Sequence, residues 1–233
     1  MLIGGFQKLT LIDFPGKLAA IVFTSGCSFR CPFCYNPELV LPEKIKSQPK
    51  IPEKDILDFL KEREGLLEGL VITGGEPTIH EDLPEFIKKI KKMGYSVKLD
   101  TNGSNPKMLK DLIDKKLIDY VAMDIKAPLK EKDYNKATGV KGALSKVKKS
   151  IKIIQNSGID YEFRTTVVPT IHKKEDIIEI VRLISTTKKY YLQNFRPEKS
   201  INKKFGKIKP YPVEYLLEIQ KAIAPFFEIC RVR

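Results

Sequence analysis

The chain has 233 residues and a formal net charge of +13, with 42% hydrophobic and 30% charged residues. That balance fits a soluble globular protein and excludes a disordered one, and no apolar run approaches the roughly 20 residues a membrane span requires. The positive excess invites a nucleic-acid reading. However, the lysines fall in pairs (Lys88-Lys89, Lys91-Lys92, Lys115-Lys116, Lys148-Lys149) among acidic residues, as on a solvated surface, so neither nucleic acid nor a membrane is expected as a partner.

Residues 1–17 read as an N-terminal extension without the basic and apolar regions of a secretory signal, so a cytoplasmic location is expected. From residue 18 onward, β-rich runs alternate with amphipathic segments. Strands are expected at 18–24, 69–73, 96–100, 120–124, 161–168 and 190–194, and helices at 53–63, 83–93, 106–116, 144–157, 174–185 and 213–224. Gly94 and Gly158 follow helical patterns and Pro106 suits a helix start. The polar stretch 196–209 reads as a long functional or mobile loop, and Cys230 falls in a late strand. We expect one α/β domain over 1–233, with a C-terminal segment at 196–233. The rhythm fits a partial barrel or an open doubly wound sheet, and both place chemistry at the carboxyl ends of the strands.

The first strand runs directly into Gly26-Cys27-Ser28-Phe29-Arg30-Cys31-Pro32-Phe33-Cys34-Tyr35-Asn36. Three cysteines spaced C-x3-C-x2-C are not the spread set of a secreted disulfide framework. Pro32 turns Cys31 away from helical geometry, which suits wrapping an inorganic core. Three thiolates can hold three irons of a 4Fe-4S cubane and leave the fourth open to a ligand. Structural zinc completed by Cys230 or a histidine, or three ordinary core cysteines, are the alternatives. Gly74-Gly75-Glu76-Pro77 follows the second strand, where glycines allow close backbone approach and Glu76 offers a carboxylate to a cationic group. Asp100-Thr101-Asn102-Gly103 ends the third strand and Asp124-Ile125-Lys126 the fourth. Asp100 and Asp124 suit a ribose or a shared cation, Lys126 a carboxylate, and a structural set of ion pairs is the alternative. Arg164, in the fifth strand, requires an anionic partner if buried. His80 and His172 are expected to be exposed loop residues.

The cysteine spacing with Phe33 before its last cysteine, followed by Gly74-Gly75-Glu76-Pro77, resembles the radical S-adenosylmethionine (SAM) superfamily. Asp13-Phe14-Pro15-Gly16, Asp100-Thr101-Asn102-Gly103, Asp124-Ile125-Lys126 and Arg164 further resemble its glycyl-radical-enzyme activases, most of all the short activating proteins of anaerobic ribonucleoside-triphosphate reductase. The resemblance implies a TIM-like (βα)6 partial barrel and a reductive cleavage of SAM. Cys27, Cys31 and Cys34 would ligate one 4Fe-4S cluster, and the backbone of Phe33, Cys34 and Tyr35 would border the adenine. Gly74, Gly75 and Glu76 would meet the methionyl amine, while Asp100, Asn102, Asp124, Lys126 and Arg164 would line the SAM region with a monovalent cation. A glycyl radical enzyme and a low-potential donor such as ferredoxin or flavodoxin are the implied partners. Three departures stand out: Phe14 replaces the glycine of formate-lyase activases, no cysteine-rich insert lies between Cys34 and Gly69, and Leu192-Gln193-Asn194-Phe195-Arg196 replaces a histidine-containing motif.

Overall fold

A computed structural model describes residues 1–184 and 187–233. Its strands are β1 (Ile3–Thr10), β2 (Ala19–Thr24), β3 (Gly69–Gly74), β4 (Ser96–Thr101), β5 (Tyr120–Asp124), β6 (Asp160–Val167), β7 (Lys189–Asn194) and β8 (Ile229–Val232). Its helices are α1 (Pro37–Val40), α2 (Pro42–Ile45), α3 (Glu53–Glu62), α4 (Leu83–Lys92), α5 (Pro106–Asp114), α6 (Glu131–Thr138), α7 (Leu144–Gln155), α8 (Lys174–Leu183) and α9 (Val213–Ile223). No helix among the described residues is long and apolar enough to cross a membrane.

The strands lie in sheet order β1 to β8, the order of the sequence. A doubly wound sheet reverses direction at a switch point, so sequential order excludes it and leaves the partial α/β barrel. All six expected strands are present within a residue or two of their expected bounds, as β2 to β7. β1 was not expected, because Gly4 and Gly5 dilute its pattern; it pairs antiparallel with β2, whereas β2, β3 and β4 run parallel. β8 adds to β7 in parallel, Cys230 facing Tyr190 in register. The short helices α1, α2 and α6 were also missed, each being too brief to show a period. The last residue of the helix expected at 174–185 lies outside the described residues.

The described chain divides into two compact units. The first comprises 1–28, 38–101 and 107–121. Its apolar floor is built from Phe14, Ala19, Ile21, Val71 and Tyr120. Phe14 is thus a core residue, and a side chain at Gly69 would meet its ring. The second unit comprises 29–37, 102–106 and 122–233. β6, β7 and β8 run parallel there, with Phe163, Tyr190 and Leu192 fully buried. In the first unit α4 packs on β4 through its apolar face, Phe86, Ile87 and Ile90 being almost completely buried.

Candidate functional site

In the first unit, β2 ends at Thr24 and the chain turns through Gly26, whose positive φ of 98° a side chain would strain. The turn is locked from both sides. Gly26 N donates to Leu39 O at 2.7 Å, and Gly26 O accepts from Glu76 N at 2.8 Å. Gly75 N donates to Thr24 O at 2.8 Å. A Cβ on Gly75 would lie far inside contact distance of the Gly26 carbonyl, and one on Gly74 inside that of Thr24. A side chain at either glycine would therefore collide with the chain itself. Cys27 follows directly from this clasp.

Glu76 is completely buried. Its Oε1 accepts from Thr101 Oγ1 at 2.7 Å, from Thr78 N at 3.2 Å and from Thr78 Oγ1, joining the ends of β3 and β4. At the end of β4, Asp100 Oδ1 pairs with the ammonium of Lys98, a side chain only 2% exposed whose Nζ sits 6.0 Å from the Tyr120 ring centre. Lys98 was not anticipated. Its signal was a lysine inside an apolar strand, two residues before an aspartate and so on the same face.

The second unit holds Cys31 and Cys34. Arg30 N donates to Thr138 O at 2.8 Å, and Gly139, at φ 69°, leaves no room for a side chain against the Arg30 carbonyl. The stretch 196–209, expected as a long loop, is tied down here: Ile201 N donates to Cys34 O at 3.1 Å and Asn202 N to Pro32 O at 3.0 Å. A short 3-10 helix, Lys203–Lys207, follows, and Phe205 packs edge-on to Phe195. Phe33 is buried, while Tyr35 keeps about half its surface in solvent. Burial and the Asp124 charge push its phenol above the ordinary value. Asn102 Oδ1 accepts from Ser104 N at 2.9 Å, and Gly103 O accepts from Ser150 Oγ at 2.7 Å, shaping the turn after β4.

An ion cluster sits where the end of β5 meets Arg164 of β6, Ile125 N donating to Arg164 O at 2.8 Å. Asp124 Oδ1 meets Arg164 Nε and Asp124 Oδ2 meets Lys126 Nζ, each at 2.9 Å. Burial opposes the Asp124 charge, but Arg164 and Lys126 outweigh it and hold the carboxyl well below the usual carboxylate range. Burial likewise opposes charge on Lys126, yet Asp124 and the nearby Cys31 and Cys34 keep it protonated above its ordinary value. Arg164 NH1 also lies 4.0 Å from the fully buried Glu162, which pairs with Arg233 at 3.0 Å. Arg164 therefore has the anionic partner its position demanded.

His172 corrects its expected exposure. It is 1% exposed, accepts from Val168 N at Nδ1 (3.0 Å) and reaches Lys126 O from Nε2 (2.8 Å), so Nε2 carries the proton of a neutral ring. Burial pushes its pKa down to about 4. His80 is also not exposed; its Nε2 is buried without a hydrogen-bond partner, and burial lowers its pKa. Cys230 is partly buried, and desolvation raises its thiol to about 11.

The donor set suits an iron–sulfur cluster. Cys27, Cys31 and Cys34 lie on one loop outside any disulfide, and the Lys126 ammonium lies within electrostatic reach of Cys31 and Cys34. Among the described residues no three His, Cys, Asp or Glu side chains gather around a single point as one metal ion requires. Cluster cysteines bind separate irons and need not do so. A diffusible monovalent cation fits poorly, since both carboxylates implied for it already pair with cations of the chain. At roughly 4 Å from a fixed ammonium, a second cation is repelled by about 4 kcal/mol at an effective dielectric near 20.

The model of the Radical SAM superfamily matches residues 21–185. A Methanocaldococcus jannaschii protein named "Putative glycyl-radical enzyme activating enzyme" is 35% identical over 216 residues, covering 91% of this chain and 87% of its own. The pyruvate formate-lyase-activating enzyme of Clostridium pasteurianum is 27% identical over 187 residues, 78% of this chain and 75% of that one. Among solved structures, Streptococcus suis SuiB bound to S-adenosylmethionine superposes with a TM-score of 0.69 at 19% identity, over 91% of this chain. The chain spans about half the length of that structure (51%), and the likeness is one of fold.

Proposed function

The chain belongs to the radical SAM superfamily and is a radical SAM enzyme, and from that premise we propose that it installs a glycyl radical on a partner enzyme, an anaerobic ribonucleotide reductase. As its family implies, it uses a 4Fe-4S cluster and SAM. When bound, the cluster supplies the single electron that cleaves SAM reductively. The observation that carries the reading is the loop of three cysteines outside any disulfide, clasped at Gly26 by Gly75 and at Arg30 by Gly139. Such a loop presents its thiolates in a fixed frame.

In this reading Cys27, Cys31 and Cys34 hold the cluster. The strand-end segment Gly74, Gly75 and Glu76 faces the methionyl amine of SAM, and the backbone of Phe33, Cys34 and Tyr35 borders its adenine. Asp100 and Asn102 receive ribose hydroxyls. Lys126 and Arg164, held in place by Asp124, supply positive charge to the methionyl carboxylate. Ordered, desolvated groups of this kind orient the substrate and exclude water from a reactive radical. An extended glycine-bearing segment of the partner supplies the hydrogen atom. The basic surface steers acidic docking faces, including that of a ferredoxin or flavodoxin donor, in the cytoplasm, where thiols stay reduced.

The test is anaerobic incubation of the reconstituted protein with SAM, dithionite and the candidate reductase, followed by electron paramagnetic resonance. A glycine-centred doublet that needs both proteins and vanishes on Gly→Ala substitution in the partner supports the proposal. A radical formed only on a formate-lyase-type partner, in keeping with the Clostridium relative, would keep the activase and change its substrate. Turnover of a small metabolite alone would reject the activase.

A further inference from the structure

We infer that Lys98 is a built-in counter-cation: its buried ammonium takes, at Asp100, the place that resemblance assigns to a diffusible monovalent cation, so that this enzyme binds SAM without an alkali-metal ion. The inference rests on the proposed placement of SAM beside Asp100.

Strand alternation sets the geometry. On β4, Val97 and Leu99 are fully buried on one face, and Lys98 and Asp100 share the other. Lys98 pairs in register with Val71 of β3, itself part of the apolar floor with Phe14, Ile21 and Tyr120. The lysine stem thus lies over hydrocarbon and an aromatic ring, and at 2% exposure its head has almost no solvent to reach. A desolvated ammonium must find a counter-charge. Asp100, one pleat nearer the carboxyl end of the strand, provides it, and its own side chain stays 14% exposed. The charge of Asp100 is therefore met by the ammonium of Lys98. Asp124, the other carboxylate implied for the cation, has both oxygens in ion pairs with Arg164 and Lys126. Neither carboxylate is left to recruit an ion. Lys98 is a positioning residue: it holds the Asp100 carboxylate in place without touching SAM.

The experiment measures SAM affinity of the anaerobically reconstituted protein by equilibrium dialysis in choline chloride, sodium chloride and potassium chloride at equal ionic strength. The unsubstituted protein is expected to show the same dissociation constant in all three, within about twofold. Lys98→Met is expected to bind SAM roughly tenfold more weakly in choline, from loss of a charge-assisted contact, and to regain affinity when sodium or potassium is supplied. Lys98→Arg should retain cation-independent binding. A merely structural lysine would not make affinity depend on the identity of the salt. Tenfold tighter binding by the unsubstituted protein in sodium or potassium would overturn the inference, with no variant needed. So would a Lys98→Met protein that binds SAM in choline as tightly as the parent. Failure of iron-loaded protein to bind SAM in any salt would overturn the functional reading and this inference together, a pattern distinct from cation-dependent binding.

Discussion

The two units hold the cysteine loop by the same device and use their charges differently. In the first, Gly75 presses against the carbonyl before Cys27; in the second, Gly139 presses against the carbonyl before Cys31. Both clasps depend on a missing side chain and a backbone hydrogen bond, so both are intolerant of a Cβ. The charged strand ends diverge. The first unit neutralises itself locally, Glu76 with hydroxyls and a backbone amide, Asp100 with Lys98. The second gathers Lys126 and Arg164 around Asp124 and Arg233 around Glu162, with Lys126 within electrostatic reach of Cys31 and Cys34. The clasps are alike because both serve the backbone, whereas the charges differ because each set is fixed by its own strand ends.

The largest effect tests whether the two halves of the loop serve one centre. Replacing any one of Cys27, Cys31 or Cys34 by Ala should abolish SAM cleavage, whereas the parent protein should reconstitute with about four irons and four sulfides per chain. Retained cleavage after loss of Cys27 alone would break the comparison, since the second unit would then suffice.

Next come the clasps. Gly75→Val should cost several kcal/mol, on the order of other severe core overpacking, and should lower iron content together with SAM binding, because its side chain collides with the Gly26 carbonyl. Gly139→Ala should act in the same direction from the other unit, through a strained φ and the Arg30 carbonyl. Thermal unfolding and iron assays of both variants check this. Loss of SAM affinity at Gly75→Val with iron and stability intact would show that the clasp on Gly26 is dispensable to the loop.

A pH titration then separates the units. His172 is neutral when folded, with a pKa of about 4, while the unfolded chain protonates near 6.5. Stability should therefore be unaffected above about pH 6.5 and fall as pH drops toward 4, by roughly 3 kcal/mol in all, then level off for this residue. Denaturant titrations from pH 8 to 4 on the parent and on His172→Gln measure it. The variant should be less stable at pH 8 yet flatter across that window. Asp124 has the opposite dependence on charge: its depressed pKa gives stability that is complete above about pH 4 and is lost only below that. An unchanged slope in His172→Gln would remove His172 as the source of the upper window.

The smallest effect is expected at Cys230. Its raised pKa makes it a poor thiolate, and Cys230→Ala should leave iron content and SAM cleavage unaltered while costing about 1 kcal/mol in thermal stability. Loss of iron there would instead bring a fourth cysteine into the centre.

The sequence by itself determined the alternation of strand and helix, because apolar periods of two and of 3.6 residues are local properties, and it located the cysteine loop and the polar strand ends, because those motifs are contiguous. It also carried enough in residues 26–36 and 73–77 to point to the family. It could not show β1, whose glycines erase the pattern until β2 is there to pair with it, nor the anchoring of 196–209, which depends on two backbone bonds to residues more than 160 positions earlier. It misread His172 as exposed, since burial depends on what packs over a residue and not on the residue's own neighbours. Partnership was likewise decided in three dimensions. That Gly75 makes room for Gly26 and that Asp124 stands between Arg164 and Lys126 follow from the pairing of segments far apart in sequence, which only folding can bring together, and only burial shows that the Lys98 ammonium is desolvated beside Asp100.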